Sequence, residues 1–164
     1  MDQRVQRFGY VGALTVAILA AALLSHHLAI LLALGPTAYF LALLPSDGDI
    51  TAKDVLVSHL AAVAAGWIAY LLLAQGIDPT AVAPRSLESL RVVASMLLAM
   101  GLTAVVLFRF SAQIATAHVT ATVVALGALT SPRALGALVV CVGVVAGLHA
   151  AFHETDGRSG KVPA

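Results

Sequence analysis

The chain has 164 residues, 60% of them hydrophobic and only 10% charged, with a mean hydropathy of +0.98. A soluble domain carries about 25% charged residues and could not bury this much apolar surface, so the composition reads as an integral membrane protein. Nine Lys and Arg against eight Asp and Glu form no basic patch for nucleic acid. The single cysteine, Cys141, gives neither a disulfide framework nor a thiolate metal site. Phosphate-binding loops, dinucleotide fingerprints, serine-hydrolase elbows and zinc-protease helices are absent. No enzymatic activity, cofactor or resident metal is expected.

Charge-free runs cover residues 8–46, 55–77, 92–108, 110–132 and 134–153. Arg4 and Arg7 precede the first run, but it far exceeds the roughly 7 to 15 residues of a signal-peptide core and reads as a first transmembrane segment. Its 39 residues are also too many for one helical crossing of a hydrocarbon layer about 30 Å thick. Gly35-Pro36 supplies a break, because proline lacks a backbone donor and disfavours helical angles in its predecessor. The first helix is therefore expected over 10–34, followed by a short apolar segment over 37–44. Further spans are expected over 55–73, 87–108 and 135–152. Between the last two, residues 111–130 begin with the polar Gln113, Thr116, His118, Thr120 and Thr122 and end apolar.

The expected fold is all-α: one polytopic membrane domain of four transmembrane helices plus two short re-entrant half-helices. The half-helices must be buried against protein, because bare backbone is not tolerated in lipid, and a homo-oligomer would supply that cover. Residues 37–43 and 120–126 share a pattern, as do 62–66 and 142–147 with one residue of slack, which points to two repeat halves, 10–75 and 87–153. Four spans put Arg4, Arg7, Arg85, Arg91, Arg158 and Lys161 on the side of the termini, against Lys53, Arg109 and Arg133. Treating the short segments as full spans also gives six against three, with Lys53 and Arg109 replacing Arg85 and Arg91. Either count predicts cytoplasmic termini in a plasma (inner) membrane, and segment length favours four spans.

Polar side chains forced into a membrane are the first candidates for function. His59 and His118 flank the proposed breaks and either line a pathway or bond a nearby carbonyl or hydroxyl. His26 and His27 point about 100° apart on a helix, so they read as structural. His149 and His153 share a face at metal-ligand spacing, but near Glu154 and Asp156 they read as polar groups ending the last helix. Thr116, Thr120 and Thr122 either bond back to their own helix or line a polar pocket. The glycines at 12, 66, 101, 127, 136, 143 and 147 are expected to allow close helix approach.

Three stretches carry a family resemblance: Leu34-Gly35-Pro36-Thr37-Ala38-Tyr39-Phe40-Leu41, Ala52-Lys53-Asp54-Val55-Leu56-Val57-Ser58-His59 and Ala117-His118-Val119-Thr120-Ala121-Thr122. From about Leu34 to Gly147 the chain resembles the HPP family of small four-helix membrane proteins. It does so as a divergent member: Val119 and Thr120 replace the two prolines of the naming motif, Lys53-Asp54 stands for Arg-Asn, and Val57-Ser58 for Gly-Gly. The resemblance implies transport, since plastid and cyanobacterial members carry nitrite.

A small anion also suits the physics. Two half-helices starting near Thr37 and Thr120 would aim positive N-terminal ends at one mid-membrane point. The expected substrate site comprises Gly35, Pro36, Thr37, Ala38, Thr120 and Thr122 with His118 and Val119, His59 adjusting pH dependence or moving a proton, and Lys53 drawing anions to the opening. The alternatives are a structural or regulatory membrane subunit and a histidine-ligated haem or metal protein.

Overall fold

The structure, a computed structural model, describes residues 3–43, 50–110 and 114–159, and among these every side chain but those of residues 3, 4, 6, 7, 43 and 153–159. Gln113, residues 44–49, Lys161 and the side chains of His153, Glu154 and Asp156 therefore lie outside the described residues. The chain forms α1 (Gln3–Ser25), α2 (Ala29–Leu43), α3 (Ala52–Ala69) with a wider π turn over Tyr70–Ala74, α4 (Leu87–Phe110), α5 (Ala117–Ala125) and α6 (Pro132–Ser159). No strand occurs among the described residues. Four apolar segments are long enough to cross a membrane: Phe8–Ser25, Ala52–Ala74, Leu87–Phe110 and Pro132–Phe152. The all-helical class and the four long apolar helices match the expectation from composition.

The first break does not fall at Gly35-Pro36. The chain leaves α1 at His26, which adopts a left-handed φ of 59°. There the amide of His26 donates to Leu23 and that of His27 to Ala22, which closes the helix end with two reversed bonds. The Ser25 hydroxyl, 2.6 Å from the Ala21 carbonyl, satisfies a further acceptor. Pro36 instead sits inside α2. Proline frees carbonyls one turn back, and inside a membrane a neighbouring Ser or Thr can take them up. The carbonyl left without an amide by Pro36 is that of Leu32, and in the same turn Thr120 of α5 donates its hydroxyl to the Ala33 carbonyl at 2.7 Å.

Near the end of α6, His149 donates from Nε2 to the carbonyl of Ile50 at 2.9 Å and meets the Tyr10 hydroxyl of α1 at 2.7 Å. The starts of α1 and α3 and the end of α6 thus share one end of the bundle. α2 leaves the opposite end after His26, so it traverses the bundle; 15 residues at about 1.5 Å each cover about 22 Å. It is a crossing element and not the re-entrant half-helix expected from the proline. α4 runs antiparallel to α3, its Arg91 Nε donating to the Leu73 carbonyl at 2.8 Å.

α5 lies parallel to α3 and begins well inside the bundle. Its successive neighbours on α3 are His59 at the start, Gly66 in the middle and Tyr70 at the end. It closes at Gly127, with a φ of 95° and the same pair of reversed bonds as at His26. The chain therefore alternates in direction through all six helices, and α1–α3 run in the opposite sense to α4–α6. Lys53 and Arg109 lie at the end of the bundle that holds the start of α1 and the end of α6, with Arg85, Arg91 and Arg133 at the other.

Two apolar cores hold this arrangement. Larger side chains, among them Leu14, Ile30, Leu34 and Leu138, fill the space between α1, α2 and α6. Between α3, α4 and α5 the core is nearly all alanine: Ala62, Ala69, Ala99, Ala117, Ala121 and Ala125. Small residues let backbones approach closely where lipid offers no hydrophobic drive for helices to associate. At Gly66 the approach leaves no room for a side chain, since a Cβ there would lie 2.6 Å from the Ala121 carbonyl oxygen.

Candidate functional site

The polar centre of the bundle is built where α2 and α5 pass each other against α3. Thr37 and His59 are both fully buried. His59 holds its Nδ1 2.9 Å from the Val55 carbonyl, one turn back on its own helix. Its Nε2 lies 2.8 Å from the Thr37 hydroxyl oxygen. That oxygen lies 2.9 Å from the Thr116 hydroxyl, and Thr116 is half-buried at the start of α5. Three elements thus contribute one unbroken chain of polar atoms, from a deep ring nitrogen to the hydroxyl of a half-buried residue.

The surroundings fix α5 in place. Thr120 ties it to Ala33 of α2, and Ser95 of α4 donates to its Ala125 carbonyl at 3.0 Å. The Ser58 hydroxyl, next to His59 and fully buried, has no hydrogen-bond partner among the described residues. Ser58 stands one turn before Ala62, on the face that α3 turns to the alanine core. Described carboxylates stay away from this centre: Asp54 closes a capping box with Thr51 at the start of α3, Glu88 sits in the first turn of α4, and Asp78 lies in the intervening loop. In that loop, hydrogen bonds from the hydroxyl and amide of Thr80 hold the Asp78 carboxyl below the usual carboxylate range.

The residues expected from sequence separate into groups. Thr37 and His59 meet, while Thr120 supports them through Ala33. Gly35 and Ala38 line an apolar groove between α1 and α2 with Val11, Thr15 and Tyr39, and Pro36 is half-buried beside them. Lys53 is exposed at the start of α3. His118 does not join His59. Two positions beyond Thr116, it faces away from it on α5, with Nδ1 3.2 Å from the Ala115 carbonyl in a groove formed with Leu107 and Phe108 of α4. Thr122 bonds back to Val119 at 2.9 Å, and both are half-buried.

The expected cradle of two convergent helix starts is not formed. α2 starts at Ala29, at the opposite end of the bundle from its Thr37 neighbours on α5, so only α5 directs a positive end toward the site. The first amides of α5 are also engaged: Ala117, His118 and Val119 donate to Ile114, Ala115 and Thr116. The polar side chains, not free amides, make up the site.

Thr116 stood in the sequence beside Thr120 and Thr122 as a hydroxyl that either bonds back to its own helix or lines a polar pocket, and it joins the Thr37–His59 chain. Its one distinguishing signal is its position just ahead of a helix start inside an apolar run. His149 was read as a polar helix end, yet it is 2% exposed and joins α1, α6 and the segment before α3, while the Tyr10 ring stacks on Phe152 at 4.3 Å. No group of three His, Cys, Asp or Glu side chains placed to hold a metal occurs among the described residues. No protein-family model, curated protein or solved structure matches this chain.

Proposed function

We propose that this chain is a divergent HPP-like membrane transporter for a small monovalent anion of the nitrite class. The solute would pass where α2 and α5 cross. The observation that carries this reading is the Thr37–His59–Thr116 cluster, in which a fully buried threonine and histidine between two apolar cores connect to a half-buried hydroxyl residue. Polar groups at membrane depth are costly and mark solute paths by default. Hydroxyls and an imidazole without a nearby carboxylate suit an anion better than a cation. The positive end of the α5 dipole, directed at Thr116, acts in the same sense. The proposal includes a plasma (inner) membrane location with cytoplasmic termini, supported by six basic residues against three. It also includes a homo-oligomer that covers the exposed Leu32 and Tyr39 of α2.

A second reading has its own observation. Each hydroxyl and ring nitrogen of the cluster already bonds to protein, as it would in a helix-locking structural subunit. Anion flux into liposomes separates the two. A transporter moves nitrite, nitrate or formate faster than empty vesicles between about pH 5 and 8 and loses that rate in Thr37→Val, whereas a structural subunit moves none.

A further inference from the structure

The two ring nitrogens of His59 have different partners, and those partners fix where its hydrogen lies. The Val55 carbonyl can only accept, so Nδ1 carries the hydrogen of the neutral ring and Nε2 is the basic atom. Thr37, at 2.8 Å, donates its hydroxyl hydrogen to Nε2. Thr37 has only one hydrogen to share between Nε2 and the Thr116 hydroxyl oxygen 2.9 Å away: with Nε2 bare it donates to the ring and accepts from Thr116, and with Nε2 protonated it accepts from the ring and donates to Thr116. Around the neutral ring the bonds of the chain therefore point inward, toward His59.

We propose that His59 Nε2 is a proton-binding site loaded through Thr116 and Thr37, and that loading prepares Thr116 to receive the anion. A proton from water binds the Thr116 oxygen, the hydrogen originally on Thr116 passes to Thr37, and the one originally on Thr37 passes to Nε2. Both hydroxyls end neutral, one N–H bond is gained, and the ring carries one positive charge. Every bond is now reversed: Nε2 donates to Thr37, Thr37 donates to Thr116, and the Thr116 hydrogen turns away from the chain. The loaded site offers an outward donor backed by a buried positive charge, and an anion at Thr116 offsets a charge that is otherwise expensive at this depth. Proton and anion therefore favour each other's binding, and the coupling is reciprocal.

No other described ionisable group takes this role. On α3, Lys53 and Asp54 stand at the helix start. On α4, Glu88 and Arg91 lie at one end and Arg109 at the other. Tyr39 of α2 is exposed, and His118 of α5 faces α4. On α6, Arg133 begins the helix, Cys141 is buried in the core on the other side, and His149 is held by Tyr10 of α1 and Ile50. None hydrogen-bonds to His59, whose two nitrogens are taken by Val55 and Thr37.

The anion part of this inference rests on the transport reading; the proton site does not. The test is nitrogen NMR of the full chain, labelled at histidine, in lipid nanodiscs with and without nitrite, using His59→Gln to assign the signal. At neutral pH His59 should show a hydrogen on Nδ1 and none on Nε2. Saturating nitrite should raise the pH of half-protonation by about 1, a tenfold coupling. Thr116→Val should remove the nitrite effect and keep the hydrogen on Nδ1, while Thr37→Ser, which retains the hydroxyl, should behave as the parent. A hydrogen on Nε2 at neutral pH, or a ring that takes no proton down to about pH 5, overturns the proton site even if vesicles carry nitrite. Half-protonation that nitrite does not move overturns the coupling. Absent flux with a normally loading His59 overturns transport alone.

Discussion

His59 and His149 each donate one ring hydrogen to a backbone carbonyl and face a hydroxyl with the other nitrogen. Their settings differ in what that hydroxyl does next. Tyr10 stacks on Phe152, so the His149 bonds join the starts of α1 and α3 to the end of α6. Thr37 passes its contact on to Thr116, at the half-buried start of a short helix. The same imidazole arrangement therefore ties segments together at one site and connects a buried nitrogen to the hydroxyl of a half-buried residue at the other. Membrane burial of a histidine does not by itself distinguish a tie from a working group; the second neighbour does.

Perturbing the α3–α5 contact gives the largest expected effect. In Gly66→Val the new Cβ would fall 2.6 Å from the Ala121 carbonyl oxygen and 2.8 Å from the Val124 Cβ, and since one contact is backbone the helices must separate. Overpacking of this kind costs about 3 kcal/mol, read as lower thermal stability in detergent. The His59 signals should be lost while the Tyr10–His149 pair, on the far side of the bundle, survives.

Next in size is Tyr10→Phe. It removes the hydroxyl that meets a buried ring nitrogen, and stability should fall by about 2 kcal/mol with anion flux per folded molecule unchanged. Thr37→Val differs from it in flux. Its loss of stability should be similar, about 2 kcal/mol, because the buried Nε2 of His59 loses its hydroxyl partner, while flux drops steeply. Equal losses of flux in both variants would erase the distinction between the two histidines.

The smallest effect belongs to the exposed loop. Asp78 is held below the usual carboxylate range by Thr80. A carboxyl depressed in the fold contributes stability above its unfolded value and loses it as pH falls through the lowered one. Thr80→Val should therefore flatten the acid limb of the stability profile slightly and leave both histidine sites untouched.

Much of the fold was legible because bilayer thickness sets helix length and charge-free runs betray it. The four long helices follow from such signals, and Gly66 allows the close helix approach expected of it. The first break did not. Gly35-Pro36 carries the stronger local signal, but α2 continues through it, and Thr120, distant in sequence, donates to the Ala33 carbonyl in the turn before the proline. His26, with no glycine to announce it, adopts the left-handed turn instead. The error carried into the site, since a helix starting near Thr37 would have supplied free amides there. Thr37 and His59 were legible as polar residues in apolar runs, whereas their link through Thr116 depends on how α2 and α5 cross.

The most direct test of the account is nitrite flux into proteoliposomes under an inward proton gradient, with the parent chain, Thr37→Val and Tyr10→Phe measured side by side and normalised to folded protein. Thr37→Val should lose at least about tenfold in rate while Tyr10→Phe stays within about twofold of the parent, a difference of roughly 1 kcal/mol or more in the barrier. Flux no faster than empty vesicles, or a Thr37→Val rate equal to the parent, would contradict the account.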